Sequence, residues 1–262
     1  MAGETRLRTL LVAAAVALAC SALVSVAVLL LRPVQQSNAL AERNRAILDA
    51  AGRLPAAADE RAIADAYQTL DVRVVDLQAQ TLGADGPVAD PRLYDHWALP
   101  DDSPYVLDRP GTAAPGQPSQ LPRYIPVYLV WSGSSLQRLV LPLHGPGMWS
   151  TLYAYLALEP DFRTIAAVVV YRHGETPGIG DRIEDPKWLR SWHGKQVYDA
   201  RGDVAFDVTR SAGQSPYQVD LISGASVTSD NLGDVVRFWM GPQGYAPLLA
   251  RLRGNGSALS PP

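Results

Sequence analysis

From Thr9 to Leu31 the chain is apolar or small and carries no charge. At about 1.5 Å per residue, a helix of that length exceeds the roughly 30 Å hydrocarbon core of a bilayer, so the pattern predicts one transmembrane helix. Ala39-Leu40-Ala41 looks like a signal-peptidase site, but a signal core spans about 7–15 residues and this run is longer. Arg6 and Arg8 precede the run, and Arg32, Arg43 and Arg45 follow it. The positive-inside balance therefore argues little. The expected topology keeps a short tail, 1–8, inside and exports the large domain.

Beyond the span, Gln35 to Ala51 interleaves Ala, Leu and Ile with Glu42, Arg43 and Arg45 before Gly52, a helix pattern read as a stalk, with 32–57 as stalk and linker. Ala58 to Thr69 predicts a second helix, and Val72 to Leu77 is a β-branched strand. Between Gly83 and Pro122 the chain is dense in Pro, Gly and Asp and predicts a surface excursion packed by Tyr94, Trp97 and Tyr105, or a disordered linker. From Arg123 onward the pattern turns to strands. Tyr124 to Trp131 and Leu136 to Leu143 flank a Ser-Gly-Ser-Ser turn, and Leu152 to Leu158 and Thr164 to Tyr171 form a second hairpin. Ile165 to Val170 lacks alternation, as a central strand covered on both faces would. Pro186 to Trp192 reads as a short helix with Asp185 as its cap, and strands are expected near Val204 to Val208 and at Gln218 to Ile222. Leu232, Val235, Val236 and Trp239 recur at helical spacing before Gly241, with Ser229 or Asp230 as the expected N-cap. The fold class is α+β: a mainly antiparallel sheet with flanking helices, preceded by a single N-terminal transmembrane helix. The exported domain covers 58–253, and 254–262 reads as a disordered tail.

Composition narrows the chemistry. Apolar residues make up 47% of 262 positions, enough for a sizeable core, and a net charge of -3 gives no reason to expect nucleic acid. Cys20 stands alone, so neither a disulfide framework nor a cysteine metal site is available. His96, His144, His173 and His193 have no metal-ligand spacing and read as surface or core-edge residues.

Three stretches carry candidate chemistry. Asp220-Leu221-Ile222-Ser223-Gly224-Ala225-Ser226-Val227-Thr228-Ser229 crowds hydroxyls around a glycine at a helix start, where unpaired N–H groups and the helix dipole favour a phosphate. His173-Gly174-Glu175-Thr176-Pro177-Gly178-Ile179-Gly180 follows a strand, and its glycines permit close approach of a flat ligand. His144-Gly145-Pro146-Gly147-Met148-Trp149 offers an indole that an aromatic ring can lie against. Lys195 is a cation placed to offset a phosphate or an anionic ring. Read alone, each is an ordinary cap, turn or packing feature.

Together these motifs resemble the NqrC family of the Na+-translocating NADH:quinone oxidoreductases, and more broadly the FMN-binding domain that this family shares with the G subunit of the Rnf complex. Asp220 to Ser226 is similar to the family's Asp-x-x-Ser/Thr-Gly-Ala-Thr motif, with serine in the last place. Glu175 to Gly180 resembles its Glu-Thr-Pro-Gly-Leu-Gly loop, and Trp188 to Lys195 its Trp-x-x-x-Trp-x-Gly-Lys pattern. Leu141 to Ser150 is similar to its Gly-x-Gly-Leu-Trp region. The resemblance implies FMN joined by a phosphoester to Ser226, with Thr228 as the competing hydroxyl. It implies Asp220, Ser223, Gly224 and Ala225 around the phosphate, and Trp149, Glu175, Thr176, Gly178, Ile179 and Gly180 near the ring, with no metal ligand and no residue catalytic in its own right. It further implies a Mg2+-dependent flavin transferase delivering FMN from FAD on the extracytoplasmic side of a bacterial inner membrane. The partners implied are the other subunits of a Na+-translocating NADH:quinone reductase complex, through which the flavin relays electrons.

Two alternatives stand beside this reading: an Rnf-type electron-transport subunit, and a flavin-free binding or structural module of the same fold. A serine hydrolase with Ser226 as nucleophile finds no Gly-x-Ser-x-Gly elbow and no identifiable histidine base.

Overall fold

The computed structural model describes residues 2–56, 59–83, 87–108, 114–254 and 259–261, and the chain divides into two compact units, Met1–Arg43 and Asn44–Pro262. The first belongs to one long helix, α1 (Ala2–Ala51). Its apolar side chains, among them Leu10, Leu18, Leu23 and Leu30, are exposed, and it is long and apolar enough to cross a membrane. The span and the helix expected after it are one element, with Pro33 inside it.

The second unit is built on a six-stranded sheet. After α2 (Glu60–Gln68), capped by Asp59 as its Oδ1 accepts from Ala62 N at 2.7 Å, come β1 (Asp71–Asp76), β2 (Thr81–Gly83), the two-residue strands β3 (Val106–Leu107) and β4 (Leu121–Pro122), then β5 (Tyr124–Ser132), β6 (Ser135–Pro146), β7 (Thr151–Leu158) and β8 (Ile165–Arg172). The sheet order is β2-β1-β5-β6-β7-β8, antiparallel throughout. A 3-10 turn at Gly180–Glu184 and the short helix α3 (Pro186–Arg190) follow. Next are β9 (Asp207–Thr209) and β10 (Gln218–Asp220), paired in parallel, then α4 (Ser226–Trp239) and α5 (Ala246–Gly254).

Each face of the sheet has its own core. On one, Leu232, Val235, Val236 and Trp239 of α4 are fully buried against Leu139, Leu141 and Leu143 of β6 and against β7, each such side chain contributing about 1.5–3 kcal/mol. On the other, Ala46, Ile47, Leu48, Ala50 and Ala51 at the end of α1 pack with Tyr128, Val140 and Tyr155. The stretch read as a stalk thus ends inside the domain's core, and Arg138 Nη1 donates to the Ala50 carbonyl at 3.0 Å. The end of α4 is fastened to β6 by Trp239 Nε1, which donates to His144 O at 2.6 Å, and by Tyr245 Oη, which donates to Pro142 O at 2.8 Å.

Several expectations need correction. Ile165–Arg172 is an edge strand and not a central one; it reads as continuously apolar because Val168 and Val170 enter one core and Ala166 the other. Its outer edge is covered where Ile165 N donates to Lys195 O and Gly194 N to Ile165 O. α4 begins four residues earlier than expected: its cap is Ala225, with no side-chain capping bond. Ser229 lies within the helix, its hydroxyl donating to Ala225 O at 2.9 Å and accepting from Ile222 N. The strand expected at Val204 to Val208 is displaced to Asp207–Thr209. α5 had no expectation attached; of the tail expected beyond it, 255–258 and 262 lie outside the described residues. His96 and His144 are each only 5% exposed, deeper than core-edge positions.

Candidate functional site

Three connections meet at a cavity of about 310 Å³: the turn between β6 and β7, the loop after β8, and the turn into α4. The first contributes Met148 and Trp149, the second Glu175, Thr176, Ile179 and Gly180, the third Gly224, Ala225, Ser226, Val227 and Thr228. Strand pairing explains the convergence. β7 lies between β6 and β8, so the end of β6 and the end of β8 emerge beside each other. Meanwhile α4, packed across β6, brings its own start to the same place.

Glu175 ties the three together. It is 4% exposed, yet its Oε1 accepts from the amides of Trp149 at 3.0 Å and Ser150 at 3.2 Å, and its Oε2 accepts from Thr228 Oγ1 at 2.9 Å. Burial opposes its ionisation. The amides of Trp149, Ser150 and Met148 with the Thr228 hydroxyl outweigh that, holding the carboxyl below the usual carboxylate range. Around it, the Glu175 amide donates to His173 Nδ1 at 3.1 Å, and Gly180 and Ile179 amides return to the Thr176 carbonyl. Gly180 leaves little room for a side chain: a Cβ there would lie 2.8 Å from Glu175 Cβ and 3.2 Å from Thr228 Oγ1.

The two candidate hydroxyls have different environments. Thr228 is 2% exposed and committed to Glu175. Ser226 is exposed, lines the cavity, and opens α4, where the first-turn amides have no intrahelical acceptor. The rim is apolar and open: Met148, Trp149, Ile179 and Val227 are 51%, 70%, 54% and 51% exposed. Trp149, for which core packing was the default, is among the most exposed aromatic side chains described.

Of the thirteen residues singled out in sequence, the cavity gathers Trp149, Glu175, Thr176, Ile179, Gly180, Gly224, Ala225, Ser226 and Thr228. Asp220, Ser223, Gly178 and Lys195 do not line it. Asp220 braces the neighbouring loop, its Oδ1 accepting from Ala212 N at 2.7 Å and its carbonyl accepting from Trp188 Nε1 at 2.7 Å. Lys195 Nζ donates to the Ser215 carbonyl at 2.6 Å. The lining residues that sequence reasoning did not single out are Met148 and Val227, the latter an apolar residue off the buried face of α4; Arg182, also missed, stands just outside the lining, its Nη1 donating to Ser223 O at 2.6 Å. Val227 was legible as a break in the helix's polar face; Arg182 had no sequence signal. Among the described residues no cluster of His, Cys, Asp or Glu is arranged to hold a metal ion.

Residues 147–241, which contain all three connections, match the FMN-binding domain family. Over 256 residues the chain is 36% identical to the C subunit of the Na+-translocating NADH-quinone reductase of Pseudomonas aeruginosa, covering 95% of this chain and 97% of that one. It is 33% identical to the corresponding protein of Yersinia pestis over 251 residues, 94% and 92% of the two chains. The crystal structure of NqrC from Shewanella oneidensis superposes with a TM-score of 0.72 at 29% identity, across 81% of this chain and 97% of that one. With near-complete coverage in both directions, the chain belongs to the NqrC family, the C subunits of Na+-translocating NADH-quinone reductases.

Proposed function

We propose that this chain, an FMN-binding, membrane-anchored subunit of Na+-translocating NADH-quinone reductase, carries its flavin on Ser226 through a phosphoester. The observation that carries the assignment is the contrast between the two hydroxyls at the cavity: Ser226 is exposed at the start of α4, while Thr228 is buried and bonded to Glu175. Transfer from FAD balances without redox chemistry. The Ser226 Oγ–P bond forms, the bond from that phosphorus to the oxygen bridging to AMP breaks, AMP leaves, and the hydroxyl proton passes to a base of the transferase or to water.

The residues present fit FMN. The helix start offers uncapped amides to a phosphate, and Trp149, Met148, Ile179 and Val227 offer an apolar rim to a flat ring. Glu175, held ionised, keeps the two loops registered against α4. When bound, FMN supplies one-electron redox chemistry; the chain supplies position and electrostatics. A covalent tether holds the flavin at high effective concentration near its redox partners, which on this reading are the other subunits of the complex. The exported domain and its flavin lie on the extracytoplasmic side of the inner membrane, where a flavin transferase loads them; 9–31 is the membrane span, and the domain expected at 58–253 takes in the end of α1 as well.

The test is co-expression of the full chain with a flavin transferase and flavin fluorescence after denaturing electrophoresis. The signal is expected to vanish in Ser226→Ala and persist in Thr228→Ala; the reverse pattern overturns the assignment.

A further inference from the structure

We propose that Arg182 is the cation that receives the flavin's phosphate at the attachment loop, a positioning role resting on the FMN reading above. The 3-10 turn Gly180–Glu184 packs on α4 and carries Arg182 to the turn just ahead of Ser226. There Nη1 donates to the Ser223 carbonyl at 2.6 Å, and the same atom lies 3.7 Å from where a Cβ on Gly224 would stand. Gly224 has φ +84, a left-handed conformation that L side chains avoid. The guanidinium is therefore fixed beside a turn whose backbone is itself narrowly defined, two residues before the hydroxyl.

The chemistry of the neighbourhood favours this cation over others. One N–H bond to Ser223 uses a fraction of the donors of a guanidinium, whose planar fork suits phosphate oxygens and whose charge does not titrate away. Arg182 is exposed, free to turn its remaining donors to a ligand at Ser226. Glu175, the carboxylate that lines the cavity, is engaged by Trp149, Ser150 and Thr228. Neither cation lines the cavity itself; Lys195, the one suggested by sequence, is held at the Ser215 carbonyl, whereas Arg182 is held at Ser223, next to the lining residue Gly224. The phosphodiester formed on Ser226 keeps one negative charge next to Arg182 and the start of α4, where dipole and guanidinium act in the same direction.

The alternative is that Arg182 only braces Ser223. Charge and stability separate the two roles: Arg182→Gln removes the charge, Arg182→Lys keeps it, and a brace would show as a lowered unfolding midpoint. The full chain is incubated with purified flavin transferase, Mg2+ and FAD, and adduct formation is followed by intact mass. The 31P resonance of the attached phosphodiester and the unfolding midpoint of the unmodified protein are recorded alongside. The expected result is a tenfold or greater fall in loading rate for Arg182→Gln, a fall of threefold or less for Arg182→Lys, a displaced 31P resonance in the Gln variant's loaded fraction, and unchanged unfolding midpoints. Loading of Arg182→Gln at the wild-type rate with an unmoved 31P resonance overturns the proposal. So does equal failure of both variants with lowered midpoints, which would mark a brace. If the wild-type chain itself gains no FMN, the FMN reading falls and this inference falls with it.

Discussion

Thr228 Oγ1 donates to Glu175 Oε2 at 2.9 Å, joining the first turn of α4 to the loop after β8. Glu175 in turn gathers the amides of Trp149 and Ser150, so this one bond closes a network spanning all three connections at the cavity. Thr228→Val removes the donor and leaves a buried carboxylate short of a partner. A loss of about 1–3 kcal/mol is expected in urea unfolding, with Ser226 still loaded with flavin. Unchanged stability would show that the bond does not matter to the fold.

The same network sets an acid sensitivity. The folded pKa of Glu175 is depressed, so its contribution to stability is fully present above the unfolded value and is lost as pH falls through the folded one. In Glu175→Gln, unfolding midpoints at neutral pH should drop while their fall toward acid becomes shallower; a parallel pH profile would contradict this.

His144 gives a second titration of distinct origin. Burial, with a smaller push from Arg172 and against a backbone bond at Gln120, drives its pKa down to about 3. Its Nδ1 has no partner among the described residues, and its ring lies 3.9 Å from that of Trp97. The unfolded chain gains a proton on this histidine as pH drops below about 6.5 and the folded chain does not, so stability falls across that window. Between pH 6.5 and 5 the loss is about 1–2 kcal/mol, measurable by denaturant titration, and His144→Phe should abolish this component.

Gly180→Ala tests the close approach of the two loops. The added methyl meets Glu175 Cβ at 2.8 Å, which forces the loop away from α4 and should reduce flavin loading severalfold. Loading at the wild-type rate would show that the loop has room to yield.

The sheet was legible because its strands are runs rich in β-branched, aromatic and other apolar residues, as in Tyr124–Ser132 and Ser135–Pro146, and because the turns between them are short. The buried face of α4 was legible from the helical spacing of Leu232, Val235, Val236 and Trp239. What stayed hidden depended on contacts distant in sequence. Ile165–Arg172 looked central because apolarity reports covered faces and says nothing about edges. The start of α4 was misplaced because Ser229 resembles a cap, yet its hydroxyl bonds back to Ala225 inside the helix. At the site, the loop motifs located most of the lining. Only tertiary structure separates Lys195, drawn off to Ser215, from Arg182, held at Ser223.

The most direct test of the central claim is the intact mass of the full-length protein isolated from its native membrane, followed by peptide mapping. The account predicts the mass of the chain increased by one FMN less one water, with the increment placed on Ser226 by fragmentation of the peptide that holds both Ser226 and Thr228. A native protein at its unmodified mass, or an increment mapping to Thr228, would contradict it.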